Sequence, residues 1–197
     1  MSPCRRPGTG PPADEEMVMT DRSHDEQPET DLRAGLRAGH AARAKSAAFR
    51  AASICHYVER HDAQENVVWK AAHAARVSLQ ALAVLSESAP DPAADSRCAR
   101  NAAASAAQAA QMGKLHDGEG ELALAACRAA LRASQAASAA AGRDGLGADE
   151  ALNTAADEAE ADAVAAAERA GWMRPGQRLP EMSAGMRSPE LMSMMHF

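Results

Sequence analysis

The side chains best suited to bind a metal or take part in a reaction lie close together in the stretch 54–69, ICHYVERHDAQENVVW. Within it, Cys55, His56 and Glu59 offer a thiol, an imidazole and a carboxylate. Thiolates, imidazoles and carboxylates are the ligand types that bind zinc and related transition metals. On a helix Cys55 and Glu59 share a face, and His56 stays within reach of Glu59. These three residues therefore define a predicted metal- or small-ligand-binding site.

The competing interpretation of this stretch is a junction between two helices. Asp62 followed three positions later by Glu65 resembles a capping box, in which the two side chains bond to free backbone N–H groups. Arg60 and His61 suit the negative end of a preceding helix. The first helix would then end near His61 and the second begin at Ala63. The metal site requires a kinked, continuous helix past Arg60 instead.

No combination of residues predicts a catalytic site or a resident cofactor. Helical bundles that hold two irons use Glu-x-x-His pairs, whereas this chain carries the reverse order at His56 and Glu59. A cysteine nucleophile needs a nearby base, but Cys55 and His56 diverge by about 100° as neighbours on a helix. We therefore expect a protein that is not an enzyme.

The C-terminal stretch MSAGMRSPELMSMMHF is rich in methionine. Ser188, Pro189 and Glu190 are typical of a helix start, so a short docking helix over 189–196 is one interpretation. Its apolar residues would form a partner-binding face, because methionine adapts to irregular grooves; they are Leu191, Met192, Met194 and Met195. Copper(I) binding by the methionines with His196 is an alternative.

Charge is distributed unevenly along the chain. Residues 31–61 carry six basic residues against two acids, whereas residues 147–170 carry seven acids against Arg169. Complementary charges favour placing the first and last helices side by side. Alternatively, the acidic first thirty residues cover the basic first helix. The net charge of −6 and the lack of a recognition motif argue against nucleic-acid binding.

Composition predicts an all-α fold. Alanine supplies about a quarter of the 197 residues and aromatic residues only 3%, and alanine is the strongest helix former. We expect a disordered acidic segment over 1–30, a bundle of four or five antiparallel helices over 31–171, and a flexible Met-rich tail over 172–197. No apolar leader or membrane-spanning run is present, and four scattered cysteines suit a reducing cytoplasm.

The spacing of apolar residues and the helix start and stop signals divide the bundle into five predicted helices. Asp91 with Pro92 predicts a helix start, and Gly113, Gly142 and Gly171 predict helix ends. Three stripes are expected to face the core at helical spacing: Ala44, Ala47, Ala51, Ile54 and Val58; Val68, Ala72, Ala75, Leu79 and Leu82; and Leu122, Leu124, Cys127 and Leu131.

These observations predict a non-catalytic helical bundle that acts by protein–protein interaction, in a regulatory or adaptor role, with a protein partner or as a homo-oligomer. The alternative is a bundle that binds a metal or small ligand at Cys55, His56 and Glu59. No nucleic-acid or membrane partner is expected.

Overall fold

The computed structural model describes residues 26–61, 63–143 and 146–177, and these form five α-helices with no strand among them. They are α1 (Glu26–Arg60), α2 (Glu65–Glu87), α3 (Pro92–Asp117), α4 (Glu121–Ala140) and α5 (Glu150–Arg169). The predicted all-α bundle is confirmed. Over these ranges no helix combines the length and apolarity needed to cross a membrane.

Successive helices run antiparallel, and α1 and α3 lie side by side at the centre. Helix α1 contacts α2, α3 and α5, while α3 contacts α1, α2 and α4. Contacts near both ends of α1 show that α3 is parallel to it: Arg37 lies 3.5 Å from Asp95, and Tyr57 Oη donates to Asp117 Oδ1 at 2.8 Å. Trp172, three residues after α5, donates from Nε1 to Asp117 Oδ2, so α1, α3 and α5 all end at the same end of the bundle. We call this end of the bundle the Trp172 end, after the tryptophan that follows α5.

The interior consists mainly of alanine. The predicted stripe on α1 is confirmed, because all five of its residues, Ala44 to Val58, are fully buried. The predicted stripe on α4 is wrong: Leu122 and Leu131 are exposed, and only Cys127 of the four is buried. Alanines occupy the buried face instead, namely Ala123, Ala126, Ala129, Ala130, Ala133 and Ala137. A methyl group lets neighbouring helices approach closely, whereas a leucine would hold them apart.

The buried face of α2 is also rotated from the predicted one. Of the predicted stripe, only Ala75 and Leu82 are buried, while Val68 and Leu79 are partly exposed and pack at the edge of the core. The buried residues are Val67, Ala71, Ala74, Ala75, Ser78, Ala81, Leu82 and Leu85. Helix α2 contacts both α1 and α3, so its buried face is wide and centred between two neighbours.

The junction between α1 and α2 is a break, as the helix-junction interpretation predicts. Helix α1 ends at Arg60, and α2 begins at Glu65 with Gln64 at its N-cap and no side-chain cap. The start at Ala63 is therefore two residues too early. The predicted cap, Asp62, lies outside the described residues. A continuous helix through this region is wrong.

Other helix boundaries follow local signals. Asp91 caps α3 by accepting from the N–H groups of Ala93 and Ala94, with Pro92 in the first turn. Helix α1 begins at Glu26, five residues before the predicted start of the bundle at residue 31, and α3 continues past Gly113 to Asp117. The predicted end at Gly113 is wrong because this glycine has a packing role inside the helix.

That packing partner is Trp172, which the sequence places in the tail. After α5, Gly171 adopts φ +75°, and Trp172 N–H donates to Ala167 O at 3.0 Å. This C-terminal motif turns the chain back over the bundle, so Trp172 and Met173 are buried in the core. A Cβ on Gly113 would lie only 2.9 Å from Trp172 Cε2. Glycine at 113 therefore makes room for the indole ring.

Candidate interaction surface and the predicted site residues

A buried ion pair joins α1 to α5. Arg50 is fully buried and Glu160 is 4% exposed. The guanidinium bonds both carboxylate oxygens, with Nη2 2.7 Å from Oε2 and Nε 3.2 Å from Oε1. Ser46 Oγ also donates to Oε1 at 3.0 Å. The bidentate geometry compensates both charges for the loss of water, so these groups serve helix packing.

The same polar contact continues toward the start of both helices. Arg43 Nε lies 2.7 Å from Asp157 Oδ1, and its Nη2 donates to Asn153 Oδ1 at 3.2 Å. The carbonyl of Gly147 lies 2.9 Å from His40 Nε2 and also accepts from Asn153 Nδ2. We call this polar contact the α1–α5 seam: His40, Arg43, Ser46 and Arg50 against Gly147, Asn153, Asp157 and Glu160. All of these residues are buried or partly buried except Asp157, whose side chain is 54% exposed. It bears out the expectation that the oppositely charged first and last helices lie side by side.

Burial sets the protonation of His40 within the seam. Its side chain is 1% exposed. The loss of water lowers the pKa of His40 below its ordinary value of 6.5, and Arg43 adds to this, although the Gly147 carbonyl and the acids Asp95 and Asp157 act the other way. A neutral imidazole that donates from Nε2 to Gly147 O suits this environment.

At the Trp172 end, Asp117 accepts two hydrogen bonds from aromatic side chains. Tyr57 Oη donates to one carboxylate oxygen at 2.8 Å, and Trp172 Nε1 donates to the other at 2.7 Å. Burial, followed by the hydrogen bond and the negative charge of Asp117, raises the pKa of Tyr57 to about 12. The Tyr57 ring also contacts the His61 ring, at a centroid distance of 4.4 Å with the planes tilted by 35°. This network fixes the ends of α1, α3 and the chain after α5 together.

Beside this network a cleft of about 470 Å³ opens between the start of α2 and the end of α3. It is lined by Ala63, Gln64, Asn66, Val67, Leu115 and His116. Leu115 is 60% exposed. Trp69, one turn after Asn66 on α2, is 66% exposed, and its indole stacks on the exposed His73 with the planes only 9° apart. We call the cleft together with Trp69 and His73 the Trp69–Leu115 surface.

This surface combines an exposed tryptophan, an exposed leucine and a concave gap. Tryptophan is the side chain most enriched among residues that dominate protein–protein binding, because its large apolar area and single N–H donor suit a partner's pocket. Helical spacing in the sequence does not single out Trp69 as an exposed side chain. Its position was missed because the neighbouring Val67, rather than Val68, points into the core.

The predicted metal ligands do not converge. His56 Nδ1 lies 3.9 Å from Glu59 Oε2, with both side chains more than half exposed. Cys55 instead packs against the edge of the core, and burial, with the charge of Glu59, raises the pKa of its thiol. A raised pKa disfavours the thiolate that a metal requires. In the ranges described, no three His, Cys, Asp or Glu side chains are arranged to hold a metal ion. Metal binding at Cys55, His56 and Glu59 stays an untested prediction.

The predicted partner-binding residues Leu191, Met192, Met194 and Met195 lie outside the described residues, as do the alternative copper ligands Met182, Met186 and His196.

Comparison with known proteins provides no relative: no protein-family model, curated protein or solved structure matches this chain.

Proposed function

We propose that this chain is a non-catalytic helical-bundle protein that binds another protein through the Trp69–Leu115 surface, in a regulatory or adaptor role. The observation that carries the proposal is the exposure of two large apolar side chains, Trp69 at 66% and Leu115 at 60%. Leu115 lines the cleft, and Trp69 lies one helical turn along α2 from Asn66, which lines it too. Large apolar side chains grouped around a concave gap are typical of docking sites. The expected partner presents flexible apolar side chains, such as leucine and methionine, on one face of a helix.

The buried charges support a non-catalytic role. Arg43, Arg50 and Glu160 hold α1 and α5 together through bonds to each other's helix. The described cysteines, Cys55, Cys98 and Cys127, all have a raised pKa because of burial, which disfavours their use as nucleophiles. We also propose a cytoplasmic location, because these three cysteines carry free thiols and reducing conditions preserve them.

The test compares Trp69→Ala with a matched control, Val84→Ala. Both positions are exposed large apolar residues on α2, but Val84 lies at the far end of the helix, at 57% exposure. Proteins captured from lysate by the wild-type chain would be identified, purified and titrated against each variant. Loss of a hot-spot tryptophan costs about 2 kcal/mol or more, which corresponds to a roughly thirty-fold weaker Kd.

We expect Trp69→Ala to weaken the purified complex by about that factor and Val84→Ala to leave it unchanged. The proposal fails if every purified partner binds both variants as tightly as the wild type. A partner that is a second copy of the chain would appear as a concentration-dependent doubling of mass, lost in Trp69→Ala, and would make the interaction a homo-oligomer.

A further inference from the structure

The chain leaves the bundle next to the Trp69–Leu115 surface. Trp172 is buried at 2% exposure and bonds Asp117. The residue before Asp117 on α3 is His116, which lines the cleft. The last described residue, Gln177, is five positions beyond Trp172, so it lies at most about 18 Å from it. The described part of the chain therefore ends near the Trp172 end of the bundle, where the cleft opens.

The remaining chain is long enough to reach the cleft and carries a suitable apolar group. Fourteen positions separate Gln177 from Leu191, a span of up to about 50 Å when extended. Leu191, Met192, Met194 and Met195 follow the i, i+1, i+3, i+4 pattern of one helix face. Methionine side chains are flexible enough to fill a gap with mixed lining. Val67 and Leu115 supply apolar contacts on the cleft side.

A second groove lies farther from the point where the described chain ends. It has a volume of about 370 Å³ and lies near the start of α1, where Leu32, Leu36, Gly35 and Gly39 contribute to its lining. Gly39 is eighteen residues, or about 27 Å, along α1 from Tyr57 at the Trp172 end. A tethered segment has a higher effective concentration at the nearer site, because longer loops lose more entropy on closing.

We propose that the C-terminal segment Leu191–Met195 docks into the cleft of the Trp69–Leu115 surface and competes there with the partner. The inference rests on the proposed function, since it assigns an intramolecular regulator to the same surface. The segment supplies the leucine and methionine face that the partner is expected to present. Partner binding then requires its displacement, so the free chain is held in a blocked state.

Photo-crosslinking of the full chain tests the contact. A benzophenone amino acid replaces Leu115, and a matched probe replaces Leu131, which is exposed on α4. After irradiation at low concentration, the monomeric product is digested and its crosslinked peptides are identified. We expect the probe at 115 to crosslink to residues 188–197 of its own chain, and the probe at 131 not to do so. The double variant Leu191→Asp, Met195→Asp should abolish the crosslink.

Three results would overturn the inference: no crosslink from 115 to the tail, an equal crosslink from 131, or a tail crosslink found only in a covalent dimer. A probe at Leu32 that captures the tail in place of the probe at 115 would also overturn it, and would assign the tail to the groove near Gly39.

A peptide of residues 180–197, added in trans, gives a second measurement. With an effective concentration of about 1 mM and a Kd of about 100 μM, an occupied cleft binds the peptide roughly ten-fold more weakly than an empty one. We expect the full-length Leu191→Asp, Met195→Asp variant to bind the peptide about ten-fold more tightly than the wild type. Equal binding to both overturns the docking. Failure of the proposed function is distinguishable, because it appears as partner affinity that is unaffected by Trp69→Ala.

Discussion

The α1–α5 seam and the Trp69–Leu115 surface reverse the usual placement of side chains. In the seam, Arg50 and Glu160 are nearly inaccessible to water, while Trp69 and Leu115 are about two-thirds exposed. Both features follow from an interior made of alanine. Where the helices pack methyl group against methyl group, as on the buried face of α4, the leucines of that helix lie outside the buried face, whereas α2 still buries Leu82 and Leu85. The polar seam then identifies which helices are neighbours, because alanine faces are alike and charges are not.

The first prediction breaks the seam. Glu160→Ala leaves the guanidinium of Arg50 buried without its partner, and we expect a loss of about 3–5 kcal/mol in the free energy of unfolding. Urea denaturation followed by circular dichroism measures it. The control is Glu158→Ala, an exposed acid on the same helix, which should change stability by about 0.5 kcal/mol or less.

The paired replacement Arg50→Met, Glu160→Leu separates charge from packing. Because both buried charges are removed together, we expect it to recover most of the stability lost in Glu160→Ala. If Glu160→Ala were as stable as the wild type, the seam would contribute nothing and the first half of the comparison would be wrong.

The second prediction concerns the packing that supports the Trp172 end. Gly113→Ala places a Cβ 2.9 Å from the Trp172 ring, and we expect a net loss of about 1–3 kcal/mol, since overpacking outweighs alanine's better helix propensity. The matched control is Gly35→Ala on α1, where no atom lies within 4 Å of the new Cβ. It should stabilise the protein by about 0.5–1 kcal/mol. Equal effects of the two variants in urea denaturation would contradict the close packing of Trp172.

Local signals in the sequence predicted much of this fold. The cap at Asp91 with Pro92 and the fully buried stripe from Ala44 to Val58 depend on residues within one or two turns of each other. The pairing of α1 with α5 was predictable because charge acts over longer distances than packing. These features required no knowledge of how closely the helices approach.

The remaining features depend on that approach. The leucines of α4 were expected in the core, but Leu122 and Leu131 are exposed because closely packed alanines form the buried face of this helix. Gly113 was expected to end a helix, and its actual role appears only when Trp172 folds back from 59 positions further along the chain. The Trp69–Leu115 surface was missed for the same reason, since exposure of Trp69 follows from the rotation of α2.

The third prediction sharpens the electrostatic side of the comparison. The pKa of His40 is lowered by burial, so the unfolded chain takes up a proton at higher pH than the folded chain does. The stability that neutral His40 contributes is complete above pH 6.5 and is lost as pH falls through the lowered pKa. His40→Gln retains a side-chain N–H donor for Gly147 O but does not titrate. We therefore expect the wild type to lose more stability than this variant between pH 7.5 and 5.

Urea denaturation at both pH values measures the difference. His56→Gln is the control because His56 is exposed, and it should follow the wild-type pH dependence. If His40→Gln loses as much stability in acid as the wild type, the titration of His40 does not act on the seam.

The smallest effect is expected at the Trp69–Leu115 surface. Exposed side chains contribute little to folding, so Trp69→Ala and Leu115→Ala should each change the free energy of unfolding by about 0.5 kcal/mol or less. Stacking of Trp69 on His73 adds little, because both rings remain in contact with water. Urea denaturation of the two variants beside Leu85→Ala, which removes a buried leucine of α2 and should cost about 2–5 kcal/mol, measures the contrast. A loss at Trp69 as large as that at Leu85 would mean that the indole stabilises the bundle itself. Changes near zero in the free energy of unfolding would instead mean that these two side chains do not stabilise the fold and are free to serve binding. The surface would then differ from the seam, whose residues stabilise the fold.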